Sequence, residues 1–278
     1  MSGLRGILRR SGHLLDVCLG GPGTVRKRVR RVLAGVRVVV SELLNICYPQ
    51  SCIFCGSETE LGYICSDCME KIQFRRHASC YICGAESLSP DEGPDFLCSD
   101  CLTRRPAFDR AFVVTRYDAA VRDLVHFFKY RQGIWLTDDL VRMMVAFYLF
   151  HISPLCLRFD AIVPVPMQRS KFRMRGYNQA DLLAGAIGKQ LLIPVRRHYL
   201  RRVRTGVVSQ TRLGREGRRR NAEAAFRAAH PRHLRGKTLL LVDDVLTTGA
   251  TCDACAGVLK AAGAAHVYVL ALARPIRV

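Results

Sequence analysis

Two acids, Asp243 and Asp244, end the apolar run Leu239-Leu240-Leu241-Val242 and are followed, past Val245 and Leu246, by Thr247-Thr248-Gly249-Ala250-Thr251. The apolar run reads as a buried strand of the parallel type, and the Thr/Gly turn opens the next helix. Together they aim backbone N–H groups, hydroxyls and a helix N-terminus at one spot, which suits a phosphate dianion. Adjacent carboxylates can also accept hydrogen bonds from two vicinal hydroxyls, as a ribose presents. The Gly-Lys-Ser/Thr ending of a Walker A loop is absent. The other reading of such a turn is a plain helix cap.

A second chemistry is carried by cysteine. Cys52-x2-Cys55 is followed after nine residues by Cys65-x2-Cys68, and Cys80-x2-Cys83 after fourteen by Cys98-x2-Cys101. Each knuckle supplies two thiolates from one turn, so two knuckles complete a tetrahedral zinc site. The eight cysteines therefore predict two closed Zn2+ sites with a structural or docking role. Gly56 and Gly84 directly follow a knuckle and suit the positive φ of such turns. Cross-braced pairing of the knuckles and a disulfide module are the alternatives. No His or carboxylate joins the set to leave an open position, which argues against a zinc hydrolase. Cys18, Cys47 and Cys156 are isolated, while Cys252-x2-Cys255 lies on an expected helix and reads as ordinary buried side chains rather than a redox pair.

These groups need elements to hold them. The chain has 278 residues, 49% hydrophobic and 24% charged, with a net charge of +20, which excludes a disordered or fibrous chain and favours phosphate-rich partners. Residues 1–46 form a basic extension of net charge +7 around a Gly-Gly-Pro-Gly break; it reads either as a nucleic-acid contact or as a solvated arm. Residues 47–105 have the texture of a small metal-held module, and 106–278 that of an α/β domain. In the latter, strands are expected at Phe112–Tyr117, Ala161–Val165, Thr238–Val242 and Val267–Leu272. Helices are expected at Ala119–Tyr130, Trp135–Phe150, Asp181–Leu192 and Ala250–Ala262. Strands alternating with helices imply a parallel sheet. No run of about 20 apolar residues marks a membrane span, and charged residues interrupt the first segment, so the expected setting is cytoplasmic.

The thirteen-residue pattern Leu239 to Thr251 resembles the signature of the type I phosphoribosyltransferases, which grip the 5′-phosphate of phosphoribosyl pyrophosphate (PRPP). With the double cysteine module, Leu43-Leu44 to Pro49, Leu124 to Tyr130, Val163-Pro164-Val165-Pro166, Arg175-Gly176-Tyr177-Asn178-Gln179 and Gln210 to Phe226, the chain resembles the ComF family from about residue 43 to its end. The resemblance implies a double zinc ribbon ahead of a type I phosphoribosyltransferase-like parallel sheet with flanking helices. It further implies that Asp243 and Asp244 hold the ribose hydroxyls and that Thr247, Thr248, Gly249, Ala250 and Thr251 bind the 5′-phosphate. Pro166 to Arg169 matches the loop that grips pyrophosphate, and Lys129 and Arg175 are cationic candidates for the same group. Mg2+ is implied because pyrophosphate leaves as a highly charged group.

The resemblance implies phosphoribosyl transfer to an unidentified acceptor, linked to DNA uptake or metabolism. A non-catalytic PRPP sensor, or a scaffold for single-stranded DNA and a helicase-like partner, is the second reading. Type I relatives are often homodimers. Thr247 stands where the 6-oxopurine branch has an Asp that serves the base, which disfavours hypoxanthine or guanine as acceptor. The segment from Tyr199 to Gly236 holds eleven Arg and a net charge of +9. It resembles in position the loop that closes over PRPP, and its charge also suits a nucleic-acid backbone or a solvated loop.

Overall fold

A computed structural model describes residues 50–74, 79–87, 92–93, 96–130, 133–203 and 225–276. The basic extension 1–46 and most of the Arg-rich segment, 204–224, lie outside the described residues. The chain divides into two compact units, Met1–Leu61 and Gly62–Val278.

In the first unit, β1 (Gln50–Ser51) pairs antiparallel with β2 (Glu58–Thr59). The knuckle between them turns tightly: Cys52 N donates to Ser57 O at 2.7 Å and Gly56 N to Cys52 O at 2.8 Å. Gly56 has φ +75°, the left-handed region that glycine enters at least cost.

The second unit opens with α1 (Ser66–Lys71), whose N-cap is Cys65. A second knuckle repeats the turn, with Gly84 N on Cys80 O at 2.8 Å and Gly84 at φ +64°. It is followed by α2 (Ser99–Thr103), whose N-cap is Cys98. Then come β3 (Arg110–Arg116), α3 (Ala119–Tyr130), α4 (Thr137–Phe147), β4 (Ala161–Pro164), α5 (Arg169–Arg175) and α6 (Gln179–Leu191). A short antiparallel pair, β5 (Leu200–Arg202) and β6 (Phe226–Ala228), precedes β7 (Thr238–Val245), α7 (Ala250–Ala261) and β8 (His266–Arg274).

β3, β8, β7 and β4 form one sheet in that order, parallel throughout. Leu239 to Val242 and Val267 are wholly buried, as a sheet covered on both faces requires. One face packs α7 and the second knuckle through Leu239, Leu241, Val269, Cys255 and Leu259. α3 begins where Asp118 Oδ1 accepts from Val121 N at 2.9 Å. It buries Val121, Leu124, Val125 and Phe128, the helical stripe of the sequence.

Three expectations are refined. β7 runs on through both acids to Val245. The long helix at 135–150 becomes a 3-10 turn (Gly133–Leu136), α4 and a π-helical turn (Tyr148–Ile152). The segment after the Pro166 turn forms α5, which buries none of its residues.

Candidate functional site

The two acids face opposite sides of the sheet, as successive strand residues must. Asp243 turns toward α7: the S–H of Cys252 donates to its Oδ2 at 3.9 Å, and Asp244 N donates to its Oδ1 at 2.9 Å. Burial, and then the charge of Asp244, push the Asp243 carboxyl up to about 8. Cys252, buried and close to the same carboxyl, is held well above the usual thiol value and so remains a donor.

Asp244 turns toward α3. It is 8% exposed, its Oδ1 accepts from Val245 N at 2.8 Å, and its Oδ2 lies 2.7 Å from Lys129 Nζ. A buried carboxylate is tolerated when such a cation accompanies it. The next residue of α3, Tyr130, accepts from Arg175 Nη2 at 2.9 Å, with the guanidinium 4.7 Å from the ring centroid. Arg175 Nη1 reaches Gln179 Oε1 at 3.2 Å. The end of α3 thus ties one candidate cation to the acid pair and the other to α6.

After β7 the chain turns at Gly249, φ +80°, which caps α7. Thr247, Thr248 and Thr251 are exposed, and Thr248 Oγ1 accepts from Ala250 N at 3.3 Å. A Cβ on Gly249 would stand 3.9 Å from the Phe108 ring. The turn, its hydroxyls and the helix N-terminus are therefore grouped within a few residues of both acids, and the helix end favours an anion.

Residues 176–178 each have a structural reason. Gly176 ends α5 at φ +82°, the Tyr177 hydroxyl donates to Phe128 O, and Asn178 Nδ2 donates to Val165 O at 3.0 Å. Val165 N in turn donates to Val242 O at 3.0 Å, which anchors the Pro166 turn one strand away from the acids. Beside it lies a cleft of about 500 Å³ lined by Pro164, Pro166, Met167, Phe172, Asn178 and Arg197, among others.

In the second unit the Sγ atoms of Cys80, Cys83, Cys98 and Cys101 lie within 4.8 Å of one another. Cys83 Sγ is 3.6 Å from Cys98 Sγ, close to the edge of about 3.8 Å that follows from a Zn–S bond of about 2.3 Å in a tetrahedron. Four soft donors at this spacing fit zinc.

Residues 43–102 match the double zinc ribbon domain family. Competence protein F of Haemophilus influenzae is 29% identical over 227 residues, 80% of this chain and 96% of that protein. DNA utilization protein YhgH of Salmonella typhimurium is 31% identical over 231 residues, 82% of this chain and 98% of that protein. This chain belongs to the ComF family. Solved structures similar to the ComF-family chain include glutamine PRPP amidotransferase from B. subtilis complexed with ADP and GMP, at 17% identity and TM-score 0.33, covering 49% of this chain and 25% of that one. Adenine phosphoribosyltransferase from Thermoanaerobacter pseudethanolicus is 15% identical with TM-score 0.31, covering 61% and 92%.

Three features of this ComF-family chain lie beyond the sequence reading. Cys252, set aside there as an ordinary helix cysteine, touches Asp243; its place one turn after the Gly249 cap is the signal that could have found it. Arg274 is buried at the end of β8, a charge closing an apolar run. Arg116 forms a two-point ion pair with Glu86 next to the second knuckle. No described helix is long and apolar enough to cross a membrane.

Proposed function

We propose that the protein binds Mg-PRPP in the cradle formed by Asp243, Asp244 and Thr247 to Thr251, and transfers the phosphoribosyl group to an acceptor in DNA uptake or metabolism. The observation that carries this reading is the grouping of an acid pair, Asp243 half-buried and Asp244 buried, with a glycine-capped helix N-terminus at the carboxyl ends of parallel strands, where α/β sheets place their ligands. The relatives named for competence and DNA utilization support the setting, and we place it in the cytoplasm. The domain division is that of an extension to residue 46, a ribbon module to 105 and the transferase-like domain from 106.

Displacement at the ribose C1 develops oxocarbenium-like charge, so the work of the chain is positioning and electrostatics. The two carboxyl groups orient the hydroxyls, the threonine turn fixes the 5′-phosphate, and Lys129 and Arg175 supply positive charge for the pyrophosphate. Asp244 Oδ2, nearly buried and already facing an ammonium at 2.7 Å, fits a cation-facing role. Mg2+ held there with the ligand's oxygens would neutralise the leaving pyrophosphate.

Calorimetric titration with Mg-PRPP tests this. Binding by the zinc-loaded parent and its loss in the Asp243→Asn/Asp244→Asn variant is the expected result. No heat from a folded, zinc-replete parent would sink the reading.

A second reading, a scaffold for single-stranded DNA and a helicase partner, is favoured by α5. This helix carries Arg169, Lys171, Arg173 and Arg175 and leaves Phe172 49% and Met174 66% exposed, the mixture of cations and a stacking ring that single strands use. Fluorescence anisotropy with a labelled oligo-dT and an abasic strand of equal length separates base stacking from charge. Preference for oligo-dT that disappears in Phe172→Ala supports it; equal affinity for both strands overturns it. A homodimer, expected by analogy with type I relatives, is read by sedimentation in the same samples.

A further inference from the structure

The two acids are treated differently by the fold. Asp243 meets a neutral thiol, whereas Asp244 meets an ammonium at 2.7 Å. Lys129 Nζ approaches Asp244 Oδ2, while Oδ1 is taken by Val245 N. The pair is a single contact from a flexible side chain, so a ligand that brings donors to the carboxylate and charge to the lysine can replace it. Asp244 keeps 11% of its side chain exposed and Lys129 21%, so the pair is shielded yet reachable from the site.

Lys129 sits in the last turn of α3, and its four-carbon stem can swing while the helix stays put. Tyr130 beside it is pinned by Arg175 through a hydrogen bond and a ring contact. A ribose brings two hydroxyl donors to carboxylates and brings no charge for the lysine. A pyrophosphate brings charge for the lysine and no donors for the carboxylate.

We propose that Lys129 is an exchangeable counter-ion: it neutralises Asp244 in the free protein and passes to the ligand's pyrophosphate once the ribose hydroxyls engage that carboxylate. This rests on the PRPP reading above and adds an order of events to it. The site is self-compensated before the ligand arrives, and the lysine becomes available to pyrophosphate only when the sugar is seated. A pyrophosphate without its ribose would have to compete with Asp244 for the lysine.

Two ligands that share the sugar and the 5′-phosphate but differ in the pyrophosphate separate the possibilities. Mg-PRPP and ribose 5-phosphate are titrated into the parent, Lys129→Met and Lys129→Gln, each checked for zinc content and circular dichroism; the glutamine variant preserves the comparison if the methionine variant folds poorly. The expected result is a loss for Mg-PRPP of about tenfold or more, the scale of one charge-assisted contact. Affinity for ribose 5-phosphate should stay level or rise, because its hydroxyls no longer compete with an ammonium. Equal losses for both ligands, or no loss for Mg-PRPP, would overturn the exchange while leaving PRPP binding standing. A parent that binds neither ligand removes the PRPP reading and the exchange together.

Discussion

Arg274, at the end of β8, donates from Nη1 to the main-chain carbonyl of Cys83 at 2.6 Å and is 2% exposed. Its charge also acts on Cys252 in α7. One buried guanidinium thus ties the end of β8 to the second knuckle and lies near enough to α7 for its charge to act there. Arg274→Met leaves the Cys83 carbonyl without its donor, and such a loss costs about 1–3 kcal/mol. Urea denaturation should show that decrease, and a chelator should strip zinc faster from the variant; unchanged stability and release would mean that the contact is incidental.

The four C-x-x-C pairs and the double zinc ribbon match lead to two zinc ions per chain. Cys80→Ser should hold one, and its loss should be felt in the sheet, since Cys80 and Cys83 belong to the same buried cluster as Val269 and Leu241. Metal analysis of parent and variant checks the stoichiometry, and a parent with a single zinc would contradict the two-site arrangement.

Gly249→Ala places a Cβ in the left-handed region, at a cost of about 1–2 kcal/mol, and against Phe108. Thermal unfolding should fall accordingly. Binding of Mg-PRPP should fall further than stability alone explains, because the turn that presents Thr247 and Thr248 is redrawn. Full affinity in a folded variant would detach the turn from the ligand.

Asp243 carries a pH signature. Its carboxyl, pushed to about 8 by burial and Asp244, lies above its unfolded value of about 3.9. The folded state therefore binds the extra proton between these values, and the stabilising contribution present in full below about pH 4 is lost progressively until pH has risen through about 8. The neighbours are Asp244, Lys129 and the high-pKa thiols Cys252 and Cys255. Denaturation of Asp243→Asn across pH should show a variant that gains on the parent steadily from about pH 4 to about pH 8, with the difference level above that. A constant difference would assign the residue a pH-independent role.

Much of the frame was legible because it is written in apolar periodicity. α3 spans Ala119–Tyr130, the range its apolar stripe marks out, and β4, β7, α7 and β8 follow their runs closely. β7 outlasts its apolar letters because the ladder needs only backbone: Asp243 pairs with Ala271 and Val245 with Ala273. α5 was hidden because a helix that buries nothing leaves no stripe. The break in the helix after Leu136 and again after Phe147 was hidden because hydrophobic spacing hardly distinguishes 3-10, α and π turns over so few residues.

The candidate site divides the same way. The acids and the threonine turn form one contiguous stretch, so spacing alone could group them. Lys129 against Asp244 and Arg274 against Cys83 join distant segments through single polar contacts, and no local pattern records such pairings.

Because β7 carries the acids inside its ladder, with neighbours on β8 fixed to Val245, their main chain has little freedom left to lose on binding the ligand proposed for it. The conformational entropy of placing the carboxyls was spent during folding. Affinity here is then limited by what the ligand and mobile side chains give up, and substitutions that loosen the β7–β8 register should weaken binding without touching a single contacting atom.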